Sequence, residues 1–344
     1  LQEEVTNGSS RIFGQPGPRQ SRGLGVLLIQ LGTPDAPTPQ ALRPYLRQFL
    51  SDPRVIEVPR WKWWFILHLF ILRSRPAQSA AKYQRIWDPV TGSPLLHWTR
   101  RQAELLQKEL PAVPVRFGMQ IGNPPLGRVV SEMIRAGMER LIALPLYPQY
   151  SATTTASATD SLFQALSRER RVPALRVAPP YYQHPAYLDA MVAVIQDGLA
   201  RLSWKPDHYL LSFHGIPKKY AQAGDPYATH VKRTTSELIA RLGWPRGQWT
   251  QTFQSLFGRD VWLKPYTEEK LKELARRGSK RVFVAMPGFT ADCLETLDEI
   301  GFEARETFRH AGGEELFPCP CLNDHPKWIE ALRALVIEEA KGWM

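Results

Sequence analysis

Residues 25–31, Gly-Val-Leu-Leu-Ile-Gln-Leu, form an almost unbroken apolar run that stops at Gly32-Thr33-Pro34. A strand that is apolar on nearly every side chain, not on every second one, cannot face water on either side. It belongs inside a parallel sheet with helices covering both faces. Further strand-like runs at 113–120, 140–146, 174–178, 208–213, 249–253, 281–286 and 315–318 alternate with helical patterns at 39–50, 93–109, 126–137, 185–203, 228–242, 267–277, 292–308 and 325–341. The Ser/Thr/Ala-rich stretch 151–161 caps and starts another helix. At 344 residues the chain exceeds one ordinary core. The alternation therefore predicts an α/β fold of two similar domains, each a parallel sheet flanked by helices with right-handed crossovers. The expected division is a disordered tail at 1–21, an N-terminal domain at 22–173, a C-terminal domain at 174–325, and a closing helix at 326–344 that packs back on the body. In such sheets the functional loops lie beyond the carboxyl ends of the strands. No G-x-G-x-x-G or Walker sequence follows any strand, so a dinucleotide or P-loop nucleotide site lacks its phosphate cradle.

The net charge is +11, from 44 basic against 33 acidic residues. This favours anionic partners: a carboxylate-bearing substrate or an acidic membrane surface. The basic residues are scattered and no nucleic-acid-binding signature occurs, so no nucleic-acid partner is expected. Cys293, Cys319 and Cys321 are too few for a disulfide framework and fit a reducing cytoplasm. Nor can they supply the four thiolates that an iron–sulfur cluster usually takes. Free thiols are the plainer reading of Cys319-Pro-Cys321. The polar, Gly/Pro-rich residues 1–21 contain no apolar core of a signal peptide and read as a disordered tail. The chain begins with Leu rather than Met, which leaves room for a missing start residue or presequence. Residues 61–72 (Trp-Lys-Trp-Trp-Phe-Ile-Leu-His-Leu-Phe-Ile-Leu) fall short of the ~20 residues a membrane span needs. With Arg60, Arg73 and Arg75 at the flanks, the segment suits a membrane interface or the lip of an apolar pocket, and equally a buried amphipathic helix.

Two segments carry candidate chemistry. The strand-like run at 208–213 ends on His214, and Gly215 and Pro217 then stop it. An imidazole held at a strand end can serve as base or metal ligand near neutral pH; the plainer alternative is a core histidine with satisfied hydrogen bonds. In the second segment Asp292, Glu295 and Glu299 stand at i, i+3 and i+7, one face of an α-helix. Such a row is either a solvated face with a capping carboxylate or a pathway of hard oxygen ligands for cations and protons.

Residues 211–227, which contain Ser-Phe-His-Gly, a Pro, a Tyr and Gly-Asp-Pro-Tyr, closely resemble the signature of ferrochelatases. Residues 292–300 resemble that family's metal-handling helix. Gln30-Leu31-Gly32-Thr33-Pro34, Tyr83 with Gly92-Ser93-Pro94-Leu95, and Tyr147-Pro148-Gln149-Tyr150-Ser151 match further segments in family order, so the resemblance spans about residues 24–335. It implies two Rossmann-like, chelatase-type domains with the active-site cleft between them. It also implies insertion of Fe2+ into a porphyrin near the end of haem synthesis, with iron as substrate and no resident cofactor. The Tyr-Pro-Gln-Tyr-Ser form resembles the protoporphyrin IX branch rather than the coproporphyrin branch. By family position, His214 and Glu295 are the catalytic and metal-handling pair, and Asp292 and Glu299 form a proton or metal pathway. Leu31, Tyr83, Met119, Gln120, Ile121, Tyr147 and Phe289 line the porphyrin cleft, with Ser93 as a polar contact. Residues 61–72 become a lip able to rest on the inner membrane of a cytoplasmic enzyme. The chain departs from the family where many members read Met-Arg-Tyr-Gly-Asn-Pro and it has Met119-Gln120-Ile121-Gly122-Asn123-Pro124. Cys293 stands where some members have His. The alternatives are a chelatase for another tetrapyrrole, such as coproporphyrin III or sirohydrochlorin, and a non-enzymatic porphyrin or haem carrier.

Overall fold

The computed structural model describes residues 23–344 except 257 and 259; the tail expected at 1–21 lies outside the described residues. Eight strands form two parallel sheets of four. The first runs in the order β2-β1-β3-β4, from β1 (Leu24–Thr33), β2 (Val115–Gly122), β3 (Arg140–Pro145) and β4 (Ala174–Val177). The second repeats that order as β6-β5-β7-β8, from β5 (His208–His214), β6 (Trp249–Gln254), β7 (Arg281–Ala285) and β8 (Glu315–Pro318). The central strands are the apolar runs: β1 is buried along nearly its whole length, and β5 is buried up to its last residue. One expected boundary is corrected. β4 pairs with β3, Arg140 opposite Ala174, so it completes the N-terminal sheet and does not open the C-terminal domain. Its edge position explains the misreading: a four-residue strand with no fully buried side chain shows no preference for either half.

The two domains share one apolar core. A single cluster holds Leu24, Val26 and Leu28 of β1 together with Leu211 and Phe213 of β5. Tyr187 of helix Pro185–Ala200 and Trp328 of helix Pro326–Glu339 join it. Phe213, Tyr187 and Trp328 are fully buried, each worth about 2–3 kcal/mol in removed apolar surface. Polar pins cross the same seam: Gln102 Nε2 donates to the carbonyls of Thr290 (2.8 Å) and Asn323 (2.9 Å), and Thr290 Oγ1 donates to that of Leu146 (3.1 Å). A large apolar interface of this kind holds domains in one arrangement.

The carboxyl ends of β1 and β2 approach unusually closely. Gly32 (φ +111°) and Gly122 (φ +82°) would bring a Cβ within 1.8 Å of the Ile121 carbonyl oxygen and 2.4 Å of the Thr33 carbonyl oxygen. Only glycine fits at these two positions. The Trp-rich segment is a continuous helical arm: helix Arg60–Ile66, a π-helical turn Leu67–Ile71, then helix Leu72–Ile86. Trp63, Leu67 and Leu72 pack with Leu50, and the Trp63 indole donates to the Leu50 carbonyl (2.6 Å). Trp61 and Phe70 are about two-thirds exposed, at 66% and 68%, and Trp64 and Phe65 are exposed too. The arm is therefore a projecting lip, not a buried amphipathic helix.

His208 opens β5, nearly buried, with Nε2 2.9 Å from Thr250 Oγ1. Burial, aided by the Lys270 ammonium, pushes its imidazole down from 6.5 to about 4. The unfolded chain takes up this proton near 6.5 and the native state does not until about 4. The stability from the neutral ring is therefore complete above 6.5 and is lost as pH falls toward 4. Replacing His208 with Gln should flatten the loss of urea stability between pH 7 and pH 5; equal losses in both proteins would clear His208 of the effect.

Candidate active site

β5 ends on His214, at the carboxyl edge of the second sheet. The backbone pairs His214 with Gln254 of β6, and the Gly215 amide donates to the Gln254 carbonyl (2.8 Å), so the strand stays registered past the histidine. Nδ1 lies 2.7 Å from the Gly215 carbonyl. A carbonyl only accepts, so Nδ1 carries a hydrogen and Nε2 is the ring nitrogen left without that contact. The Tyr227 hydroxyl donates to the His214 carbonyl (2.9 Å), and the Trp262 ring stands 6.5 Å from the imidazole.

The end of β6 ties the second segment to this histidine. Buried Gln254 accepts from Ser212 (2.6 Å) and donates Nε2 to the Glu295 carbonyl (2.8 Å). Ser255, held at φ +65°, donates its amide and its hydroxyl to the Glu299 carboxylate, both at 2.5 Å. His214, Gln254, Ser255 and the two glutamates thus form one connected group. Burial pushes the Glu299 carboxyl above the ordinary carboxylate range; its Ser255 hydrogen bonds and the His214 charge pull the other way, and the Glu295 charge adds to the rise.

Glu295 also faces the N-terminal domain. Its charge reaches the phenols of Tyr45, Tyr83 and Tyr147, all raised chiefly by burial, and the Cys293 thiol is hydrogen-bonded to it. Tyr45, Tyr83 and Ile121 cluster with Leu31 and Leu294, and the rings of Tyr45 and Tyr83 meet edge to face at 6.4 Å. Phe289 packs with Leu95, Ala291 and Cys293 at the domain seam. Tyr147 donates its hydroxyl to Gln120 Oε1 (2.7 Å), Gln120 Nε2 donates to Ser157 (2.9 Å), and Ser157 donates to the Asp52 carboxylate. An arginine at 120 has no acceptor, so it could not take the Tyr147 hydrogen. The departure at 120 therefore sets the direction of a phenol hydrogen on the cleft wall.

Three expectations change. Asp292 is not in a row with the glutamates: the helix that carries them is a π-helix, Glu295–Ala304, and Asp292 precedes it. It is buried, accepts from Asn323 Nδ2 (2.7 Å) and Thr296 Oγ1 (2.9 Å), and has no free face for passing ions. Ser93 is buried and has committed its hydroxyl hydrogen to Thr33 Oγ1 (2.8 Å), so it can only accept. Met119 has no exposed surface and backs the wall without lining it. Tyr45, Gln254 and Ser255 were not anticipated. Neither Gln254 nor Ser255 had a clear signal: β6 reads Trp-Thr-Gln-Thr-Phe-Gln, so one more polar residue at its end does not stand out.

The family model for ferrochelatase matches residues 23–340. The chain belongs to the ferrochelatase family. Ferrochelatases of Mesorhizobium japonicum and Chromobacterium violaceum are 46% and 48% identical to it, over 95% and 93% of this chain and 94% and 88% of theirs. Among solved structures, SirB from Bacillus subtilis with Fe3+ superposes with a TM-score of 0.53 at 17% identity, over 73% of this chain and 92% of that one, a likeness of fold alone. Membership makes the protein an enzyme that inserts iron into a porphyrin.

The Tyr147–Gln120–Ser157–Asp52 chain generates a prediction. Gln120→Leu should raise the KM for porphyrin about 5-fold and change kcat less than about 2-fold, because a wall contact acts on binding more than on the chemical step. A KM equal to wild type in steady-state insertion kinetics would show that the chain does not touch substrate recognition.

Proposed function

We propose that His214, Glu295 and Glu299 carry the reaction of this enzyme, the insertion of Fe2+ into protoporphyrin IX to give haem. Two pyrrole N–H bonds break and four Fe–N bonds form, two to the deprotonated nitrogens and two to the nitrogens that carried no hydrogen, so one Fe2+ enters and two protons leave. The lone pair of neutral His214 Nε2 contacts the incoming metal, and once the metal has left it accepts pyrrole protons one at a time and passes each on. Glu295, whose charge reaches Tyr45, Tyr83 and Tyr147, shares the metal and takes a proton onward. Glu299, whose carboxyl holds a proton more readily than usual, receives it beside Ser255. A neutral imidazole with one carboxylate binds a divalent cation weakly, as delivery requires. The observation that supports this assignment is the connection of His214 through Gln254 and Ser255 to both glutamates. The reaction as written uses no resident cofactor.

The macrocycle would lie on the wall of Leu31, Tyr83, Ile121 and Tyr147, with Phe289 at the seam. An apolar, aromatic slot with a few polar groups suits a planar hydrophobic ligand. The lip extends the reading to a peripheral contact with the cytoplasmic face of the inner membrane, and nucleic acid has no part in it. Among the described residues no helix is long and apolar enough to cross a membrane. The exposed aromatics of the lip, with Lys62 over the Trp61 ring at 5.2 Å, suit the headgroup region of an anionic bilayer.

An anaerobic assay with Fe2+ and protoporphyrin IX, read by loss of porphyrin fluorescence, tests the reaction. Coproporphyrin III and sirohydrochlorin in parallel would expose a different tetrapyrrole preference, and tight porphyrin binding with no metallation would mark a carrier. His214→Ala should lower kcat at least about 1,000-fold and Glu295→Gln about 100-fold, the scale of lost proton transfer; wild-type rates in both variants would refute the assignment. For the lip, Trp61→Ser with Trp64→Ser and Phe70→Ser should weaken co-sedimentation with phosphatidylglycerol vesicles about 10-fold. Undiminished sedimentation would remove the membrane contact from the proposal.

A further inference from the structure

The face of the π-helix turned away from Ser255 holds a buried charge that the reaction does not use. The Asp298 side chain is 1% exposed, and a carboxylate so deep in protein is costly unless it is paired. Its partners come from helix Leu72–Ile86, whose N-terminal end continues into the lip. Arg85 Nη2 donates to Oδ2 at 2.9 Å, and Nε lies 2.6 Å from Oδ1, a charge contact that leaves Oδ1 without a hydrogen bond. Lys82 stands 3.8 Å away and also pairs with Glu303 at 2.6 Å, while Arg85 Nη2 reaches Glu303 at 3.3 Å. The same guanidinium lies over the Phe302 ring at 5.9 Å.

The pattern depends on the winding of the helix. Lys82 and Arg85 are three residues apart and share a face of an α-helix. Asp298 and Glu303 are five apart. On an α-helix that spacing puts them about 140° out of line, whereas the i→i+5 repeat of a π-helix stacks them. The bases of one helix therefore match the acids of the other only while 295–304 keeps its π form. Asp298 adjoins Glu299 and follows Glu295 by one short step, so fixing it sets both carboxylates. Tyr83, on the cleft wall, lies between the two bases.

We propose that Asp298 is a positioning residue for metal insertion: held by Arg85 and Lys82, it locks the π-helix bearing Glu295 and Glu299 to the helix bearing Tyr83, and so sets the spacing between the porphyrin wall and the metal-handling carboxylates. This rests on the roles proposed above for those glutamates. An arginine that meets one carboxylate with a hydrogen bond and a second close charge contact restrains it more than a single ammonium does. The ion pair acts through Glu295 and touches no substrate.

The test uses the full chain and anaerobic Fe2+ insertion, with Arg85→Gln, Arg85→Lys, Asp298→Asn and the Arg85→Gln/Asp298→Asn pair. The expected result is a fall in kcat of about 10-fold in Arg85→Gln and Asp298→Asn, porphyrin KM within about 2-fold of wild type, and a double variant no slower than the slower single one. Arg85→Lys should fall between wild type and Arg85→Gln. Wild-type kcat in the folded single variants, multiplicative losses in the pair, or a loss that only tracks the unfolded fraction in a thermal melt would overturn it. If Asp298→Asn does not fold, the two Arg85 variants, altered at the half-exposed partner, decide alone. Wild-type turnover with unaffected variants overturns this inference only; a wild-type chain that metallates no porphyrin overturns the proposed function and this inference together.

Discussion

The parallel pairing of His214 with Gln254, at the carboxyl edge of the second sheet, is the contact on which the rest of the site is built. It stops β5 and β6 at the same level, so an imidazole and an amide leave the sheet side by side. The amide then reaches the first residue of the π-helix, and the next residue, Ser255, reaches a carboxylate one turn on. Ser212, Thr252 and Thr267 support Gln254 from below through short hydroxyl contacts. Buried polar groups so connected resist displacement, since losing one partner strands another in low dielectric.

The π-helix has a specific consequence for the carboxylates. Its hydrogen bonds are less favourable than those of an α-helix, and ten residues in that form need outside support. The support comes from both flanks of one turn: Ser255 on Glu299, and Arg85 on Asp298. Asp292, expected to work with the glutamates, instead anchors the approach to the helix by binding Asn323 and Thr296. The acidic groups thus divide between Glu299, bound to the end of β6, and Asp292 and Asp298, which tie the helix to its other neighbours.

Charge is arranged against the average of the chain. The net charge is +11, yet the residues around His214 are acidic and the lip is flanked by arginines. Gln120 does what an arginine there could not and accepts a hydrogen from Tyr147. The wall therefore stays polar at that point without a formal charge in the slot.

The sequence by itself determined the order of strands and helices and the placing of His214 at the end of β5, because doubly buried strands advertise themselves as apolar runs and Gly215 and Pro217 mark where this one stops. Tertiary structure decided the rest. Which sheet receives β4 depends on pairing with β3, and a short edge strand carries no local mark of its partner. The i, i+3, i+7 spacing from Asp292 assumed α-helical winding, and winding is settled by contacts from Ser255 and Arg85, far away in the chain. Tyr45 joins the wall only when helix Pro39–Leu50 packs against helix Leu72–Ile86. Local sequence encodes what each segment prefers; the direction in which a side chain finally points is a property of the neighbours that burial assembles around it.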